Sequence, residues 1–400
     1  MVRAVSTPHP ALDGARLFAD VLRYESFGHH RFGSPGAAAA FDWIESELGR
    51  AGLAVSAQRF TMPRQYDFRS GTLAAGNARL DVVPHWWSPE DKASFALTAP
   101  IGPGGFARID LPFDRGAYLS DSHRAGLAGV LAQRPAAVLL CLQHPSGEIF
   151  SYNVDQTGPP WPVPVILVAP KDRPALDAAQ QAGTPVSVAI DGTHRRDVEG
   201  RNVVARLDRG KGKWLIVSTP VTSWFTSTCE RAPGIAGFLA MARMAETFAN
   251  VDLLFVATAG HEIGHGGMQH FIRELAPPPA ATVAWAHFGA SLACREIALR
   301  LVNSSEESAS LVDRHFASLG GTRLTGPQAG IGELREILAA GYPRFFSMTG
   351  NHRYFHTPAD TSALTSPELL APAIRPFASA LAEIDAAARF SGTPPNVSVA

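Results

Sequence analysis

The segment Gly260-His261-Glu262-Ile263-Gly264-His265 sets two imidazoles around a carboxylate, in the pattern H-E-x-x-H. On a helix, that spacing puts two histidines one turn apart on a zinc ion, with the glutamate as base. The chemistry requires an unbroken helix, and the flanking residues argue against one. Residues 251–259 form an apolar run that reads as a buried strand, and Gly264, Gly266 and Gly267 weaken a helix where it is needed. His270 also falls one position short of the third histidine of the longer motif variant. The segment therefore reads as a strand that delivers His261 and Glu262 at its C-terminal end, where open α/β sheets keep their sites.

The elements that must position this pair follow from the hydrophobic periodicity. Residues 10–54 read as helix, glycine-rich turn and helix, with apolar stripes at Leu17, Val21 and Leu22 and at Phe41, Ile44, Leu48 and Leu53. His29 and His30 fall in the intervening turn and read as loop histidines. From about residue 70 to 199 the pattern becomes short strands at 108–111, 136–142, 164–168 and 185–190, with helices around 120–132 and 173–182. Trp86, Trp87 and Trp161 read there as packing residues. After residue 201, strands (202–207, 214–219, 252–259, 282–288, 343–348) alternate with helices (234–248, 267–274, 306–319, 333–340, 365–389). Pro372 and Pro376 are expected to break the start of the last helix. This order predicts an α/β three-layer sandwich with a mostly parallel central sheet, plus an inserted β-rich unit. Residues 1–70 and 200–400 form the main domain and 71–199 the insert.

Bulk composition narrows the function classes. The chain has 400 residues, 46% hydrophobic and 18% charged, with a net charge of −1. That balance gives no reason to expect nucleic acid or an anionic membrane as a partner. No apolar run reaches the roughly 18 residues of a membrane span, and residues 1–13 lack a signal-type apolar core, so a cytoplasmic protein is expected. Cys141, Cys229 and Cys294 are odd in number and far apart, which implies no disulfide framework.

Several segments together resemble the zinc aminopeptidase family, which includes bacterial leucine-type aminopeptidases, glutamate carboxypeptidase and glutaminyl cyclase. His30-Arg31-Phe32-Gly33-Ser34-Pro35-Gly36 before an amphipathic helix is similar to the family's opening. Residues 105–190, especially Arg124–Val130 and Val163–Val168, resemble a protease-associated insert domain. Arg201-Asn202-Val203-Val204-Ala205 is similar to the re-entry motif, and His356-Thr357-Pro358-Ala359-Asp360-Thr361 to the terminal metal-histidine motif. The resemblance spans nearly the whole chain.

What the resemblance implies for the site is a partial match. The family's H-x-D falls on Pro220-Val221-Thr222, so that histidine ligand and its orienting aspartate are absent. The bridging aspartate corresponds to Glu230, the glutamate pair to His261-Glu262, the later aspartate ligand to His287, and the last histidine to His356. One metal of the two would lose its ligands. The other would keep Glu230, Glu262 and His356, a three-ligand zinc site with an open position, as in the glutaminyl cyclase branch. Carboxylates leaving Thr222, His261 and His287 fit the loss of one dication, since unpaired buried carboxylates cost several kcal/mol each. His261 then takes the base position, and His287 orients substrate, stabilises an oxyanion or is a fourth ligand. Asp360 and Thr361 fix the loop that carries His356. The bland alternatives are a surface ion pair between Glu230 and Arg231, and structural roles for His265, His270, His287 and His352. Cys229 reads as a small buried residue, or as a thiolate that could replace Glu230 on zinc.

The expectation is a zinc-dependent hydrolase, one zinc per chain, cleaving an amide or peptide-like bond in a small or terminal substrate. The alternatives are a cyclotransferase, lyase or isomerase using His261, or a non-catalytic binding protein on the same fold.

Overall fold

The structure is a computed structural model and describes residues 9–389 except 115, 156, 157 and 159. Residues 1–8, which carry most of the expectation about export, lie outside it. The core of the main sheet is four parallel strands in the order β13 (Phe345–Asn351), β10 (Thr282–Phe288), β8 (Trp214–Pro220) and β9 (Asp252–Thr258). Antiparallel β11 (Ala298–Asn303) and β7 (Val186–Leu207) flank this centre, and β12 (Thr322–Thr325) closes one edge.

Alternation along the central strands builds two cores. On β9, Leu253, Phe255 and Ala257 face one layer, while Leu254 and Val256 face the other. Helices α1 (Gly14–Glu25), α2 (Pro35–Arg50), α5 (Thr228–Arg243) and α9 (Pro367–Ala388) pack on the first side. Met268 and Phe271 of α6 (Gly266–Glu274) and Leu334 and Ile337 of α8 (Leu334–Ala339) fill the second. The α/β sandwich with its parallel centre is therefore present. Two 22-residue strands, β1 (Ala54–Ala75) and β7, run antiparallel from this sheet into the inserted unit. There β2 (Ala78–Pro84), β6 (Val165–Val168), β5 (Ala137–Gln143) and β4 (Phe106–Pro112) continue the strand order, with α3 (Asp121–Leu131) packed on β4.

Several local expectations are corrected. The two strands expected at 185–190 and 202–207 are one continuous strand, because the polar stretch between them pairs with β1 residue by residue. The expected break at Pro372 and Pro376 is absent, and α9 is continuous through both prolines. Helix α5 begins at Thr228, six residues earlier than the periodicity suggests, with Pro233 in its second turn. His30 is fully buried, stacked on Tyr24 with ring centroids 3.6 Å apart, and its Nδ1 bonds the Thr226 carbonyl. It lies in the loop between α1 and α2 as expected, and is buried there.

Cys229 and Cys294 form a disulfide, contrary to the expectation from cysteine spacing. They are separated by 65 positions that include β9, α6 and β10, and the fold returns the chain to the start of α5, a closure that sequence distance does not reveal. Cys141 is buried and free. Thiol titration of the unfolded, unreduced chain is expected to count one thiol. Cys294→Ala is expected to lower stability by roughly 4 kcal/mol, as loop closure of this size implies; three titratable thiols would contradict the bridge.

Candidate active site

The end of β9 is shaped by backbone that L-residues rarely adopt. Gly260, Gly264 and His265 have φ of 73°, 92° and 60°, so His261–Ile263 make a single tight turn and α6 starts only at Gly266. Asn202 pins this turn: its Oδ1 accepts from Ala259 N–H, and its amide donates to Gln58 and to the Gly267 carbonyl. A side chain at Gly267 would stand 2.4 Å from both Ala259 O and Asn202 Oδ1, so only glycine fits there. The H-E-x-x-H zinc geometry is thus excluded by the backbone itself.

The turn sends Glu262 and His261 in different directions. The Glu262 carboxylate is fully buried and receives Phe32 N–H at 2.6 Å and the Thr222 hydroxyl at 2.6 Å. Burial raises its pKa, and those two hydrogen bonds oppose the rise. His261 instead faces a cavity of about 460 Å³, shared with His287, Tyr118, Asn153, Arg300 and Glu333. Its Nδ1 lies 3.5 Å from Glu333 Oε1, and Glu333 is itself buried and held by the Thr258 hydroxyl. Burial first, and the Arg231 charge second, push the His261 pKa well below its ordinary value, so the ring is neutral.

His287 stands at the end of β10 as expected. Its Nδ1 is 2.8 Å from Ser218 Oγ, which also accepts the Trp285 indole N–H at 2.7 Å. Burial pushes its pKa down to about 4. His265 and His352 take supporting places. His265 bonds Tyr118 at 3.0 Å and Glu336 at 3.2 Å, and His352 accepts Tyr354 N–H.

Glu230 and His356 meet behind this cavity. His356, at φ 58°, gives Nδ1–H to the Ser151 carbonyl at 2.9 Å, which turns Nε2 toward Glu230 Oε1 at 3.4 Å. Asp360 caps α5 by accepting Cys229 and Glu230 N–H at 2.7 and 3.0 Å, so it positions Glu230 as well as the His356 loop. Glu230 is fully buried, and so is Arg231, whose Nη2 is 2.7 Å from Glu230 Oε1 and whose Nε donates to the Thr222 carbonyl. Burial raises the Glu230 pKa, but Arg231, His356 and Ser223 outweigh it and hold the carboxyl well below the ordinary range. The ion pair of Glu230 and Arg231, weighed as a surface alternative to metal ligation, is a core pair. Arg231 had no place among the expected site residues, yet it lies buried at this centre. The available signal was an arginine inside a helix whose other residues are almost all small or apolar. The insert, expected as a unit, had no expected part in the site, yet it supplies Tyr118, Ser151 and Asn153 to it.

No family model and no curated protein sequence matches the chain. Solved structures do. A zinc aminopeptidase from Bacillus subtilis superposes with a TM-score of 0.69 at 16% identity, covering 94% of this chain and 95% of that one. A peptidase M28 precursor from Shewanella amazonensis gives 0.69 at 16%, covering 92% of each. Porphyromonas gingivalis glutaminyl cyclase gives 0.52 at 12%, covering 94% and 99%. The chain has the zinc aminopeptidase fold.

Within that fold, the three expected zinc ligands do not meet as a set. Among the described residues, the one group of three whose ligand atoms all lie within 4.8 Å of one another is Cys229, Cys294 and His352, and there the two sulfurs are bonded to each other. Glu262 is turned to Phe32 and Thr222, and Glu230 Oε1 already carries a guanidinium. A zinc ion on that oxygen would stand within about 4.7 Å of the Arg231 charge. At an effective dielectric of 20 the two would repel by roughly 7 kcal/mol, before the carboxylate between them is counted. As folded, this centre does not fit a zinc ion.

Buried neutral histidines give the site a pH signature. His30, His85 and His287 have pKa values lowered to about 4, 3 and 4, chiefly by burial. The unfolded chain takes up these protons below about pH 6.5, and the folded chain does not until about pH 4. Stability is therefore full above pH 6.5 and is lost on acidification, by up to about 1.4 kcal/mol per pH unit for each histidine. Melting temperature should fall steadily from pH 7 to pH 5; a flat profile would contradict these buried neutral rings.

Proposed function

We propose that the chain is an enzyme that cleaves an amide or peptide-like bond in a small or terminal substrate, with His261 as the acid/base group. The observation that carries this reading is a neutral imidazole, backed by the buried Glu333 carboxylate, lining a roughly 460 Å³ cavity at the sheet's C-terminal edge. Glu333 favours the proton on His261 Nδ1, which leaves Nε2 to take a proton from water and stabilises the imidazolium that follows. His287 faces the same cavity. With Ser218 already accepting from Trp285, the Ser218 proton is free for His287 Nδ1, and an N–H on Nε2 is then available to a developing oxyanion.

A single zinc on Glu230, Glu262 and His356 is the second reading. It is favoured by Glu230 Oε1 and His356 Nε2, which face each other at 3.4 Å, with Arg231 the one other partner of that oxygen among the described residues. It needs Glu262 to leave Phe32 and Thr222, and Arg231 to leave Glu230. The metal-free form needs neither movement and is the one proposed. The zinc aminopeptidases and glutaminyl cyclase that share the fold support a terminal, peptide-like substrate class. The Cys229–Cys294 bridge favours an oxidising compartment over the cytoplasm.

The test is turnover of a panel of aminoacyl and peptide-like amides. His261→Ala should lower kcat/KM by about 10²–10⁴, and Glu333→Gln by a smaller factor with a changed pH profile. A His261→Ala protein that keeps the wild-type rate would remove His261 from the chemistry and return the chain to the binding-protein alternative.

A further inference from the structure

We infer that Arg231 is the resident cation of this centre, its guanidinium standing where the fold would otherwise carry a metal ion. The claim rests on the metal-free form of the reading above. It is read out in stability and metal content, so a chain that turns over no amide still tests it.

Three observations carry the inference. Arg231 is only 1% exposed, in the first turn of a helix that is otherwise buried almost throughout. Its guanidinium joins the two places where the metal-binding pattern fails: Nε donates to the carbonyl of Thr222, where H-x-D is missing, and Nη2 meets Glu230. Glu230 Oε1 and His356 Nε2 face each other there at 3.4 Å, both buried, and the one other partner of either among the described residues is the Arg231 Nη2 that meets Glu230 Oε1 at 2.7 Å. Buried polar atoms left so are uncommon, and a shared cation is the usual way to satisfy them. Here the cation is covalently part of the chain. It brings one positive charge where a zinc ion would bring two, which suits a site that has lost carboxylates at Thr222, His261 and His287. A planar fork also holds a carboxylate without any open coordination position.

The experiment uses the full-length protein. As purified, and after incubation with zinc chloride, it should hold less than about 0.1 zinc per chain, and neither EDTA nor zinc should move its melting temperature. Arg231→Ala leaves Glu230 buried without its partner and should lower the melting temperature by about 5 °C or more. Zinc chloride should then restore much of that loss in Arg231→Ala alone, and Glu230→Gln should restore it without zinc. About one zinc per wild-type chain, removed by EDTA with a fall in melting temperature, would overturn the inference. So would an Arg231→Ala protein that is indifferent to zinc. Should Arg231→Ala fail to fold, the wild-type metal content and its response to EDTA decide alone.

Discussion

The ion pair between Glu230 and Arg231 is the constraint around which the rest of the site is arranged. Neighbouring residues in one helical turn do not usually face each other. Here they do because the start of α5 is held from below by Asp360, and the guanidinium is drawn across to the Thr222 carbonyl. Removing either charge would strand the other away from water, a loss of about 3–5 kcal/mol. The pair therefore fixes both the helix and the strand end it reaches.

The inserted unit depends on the same centre. Ser151 takes the His356 Nδ1 proton and donates its own N–H back to the His356 carbonyl. Val154 N–H bonds the Glu262 carbonyl, and Asn153 accepts the Trp224 indole. A segment of the insert is thus woven into the turn behind the cavity, while Tyr118 and Asn153 form part of its wall. The same residues that keep the two units in register also narrow the approach to His261, which suits a small or terminal ligand.

Much of the fold was legible in the sequence, because apolar runs and helix periodicity report burial directly. The strand that ends in His261 and Glu262 was readable from its apolar run and closing glycines, and the His356 motif from its resemblance. What was not legible depended on long-range closure. Two adjacent charges such as Glu230 and Arg231 look like a surface pair until the helix that holds them is known to be buried throughout. Cys229 and Cys294 become neighbours only after β9, α6 and β10 have been laid down. Edge strand β12 and its neighbour β11 went unseen because β12 is only four residues and unburied, and β11 is buried only in its second half, so neither shows apolar alternation. In the long antiparallel pair of β1 and β7, β7 was cut in two by its polar middle, where cross-strand pairing and not burial holds the backbone.

The central claim is that this member of the zinc aminopeptidase fold has a guanidinium in place of a metal. The most direct measurement is anomalous diffraction at the zinc edge from crystals grown in zinc chloride. The account predicts Arg231 seated on Glu230, with no anomalous peak within about 2.3 Å of Glu230 Oε1 or His356 Nε2. A peak bridging those two atoms, with Arg231 turned away and Glu262 swung in beside them, would contradict it.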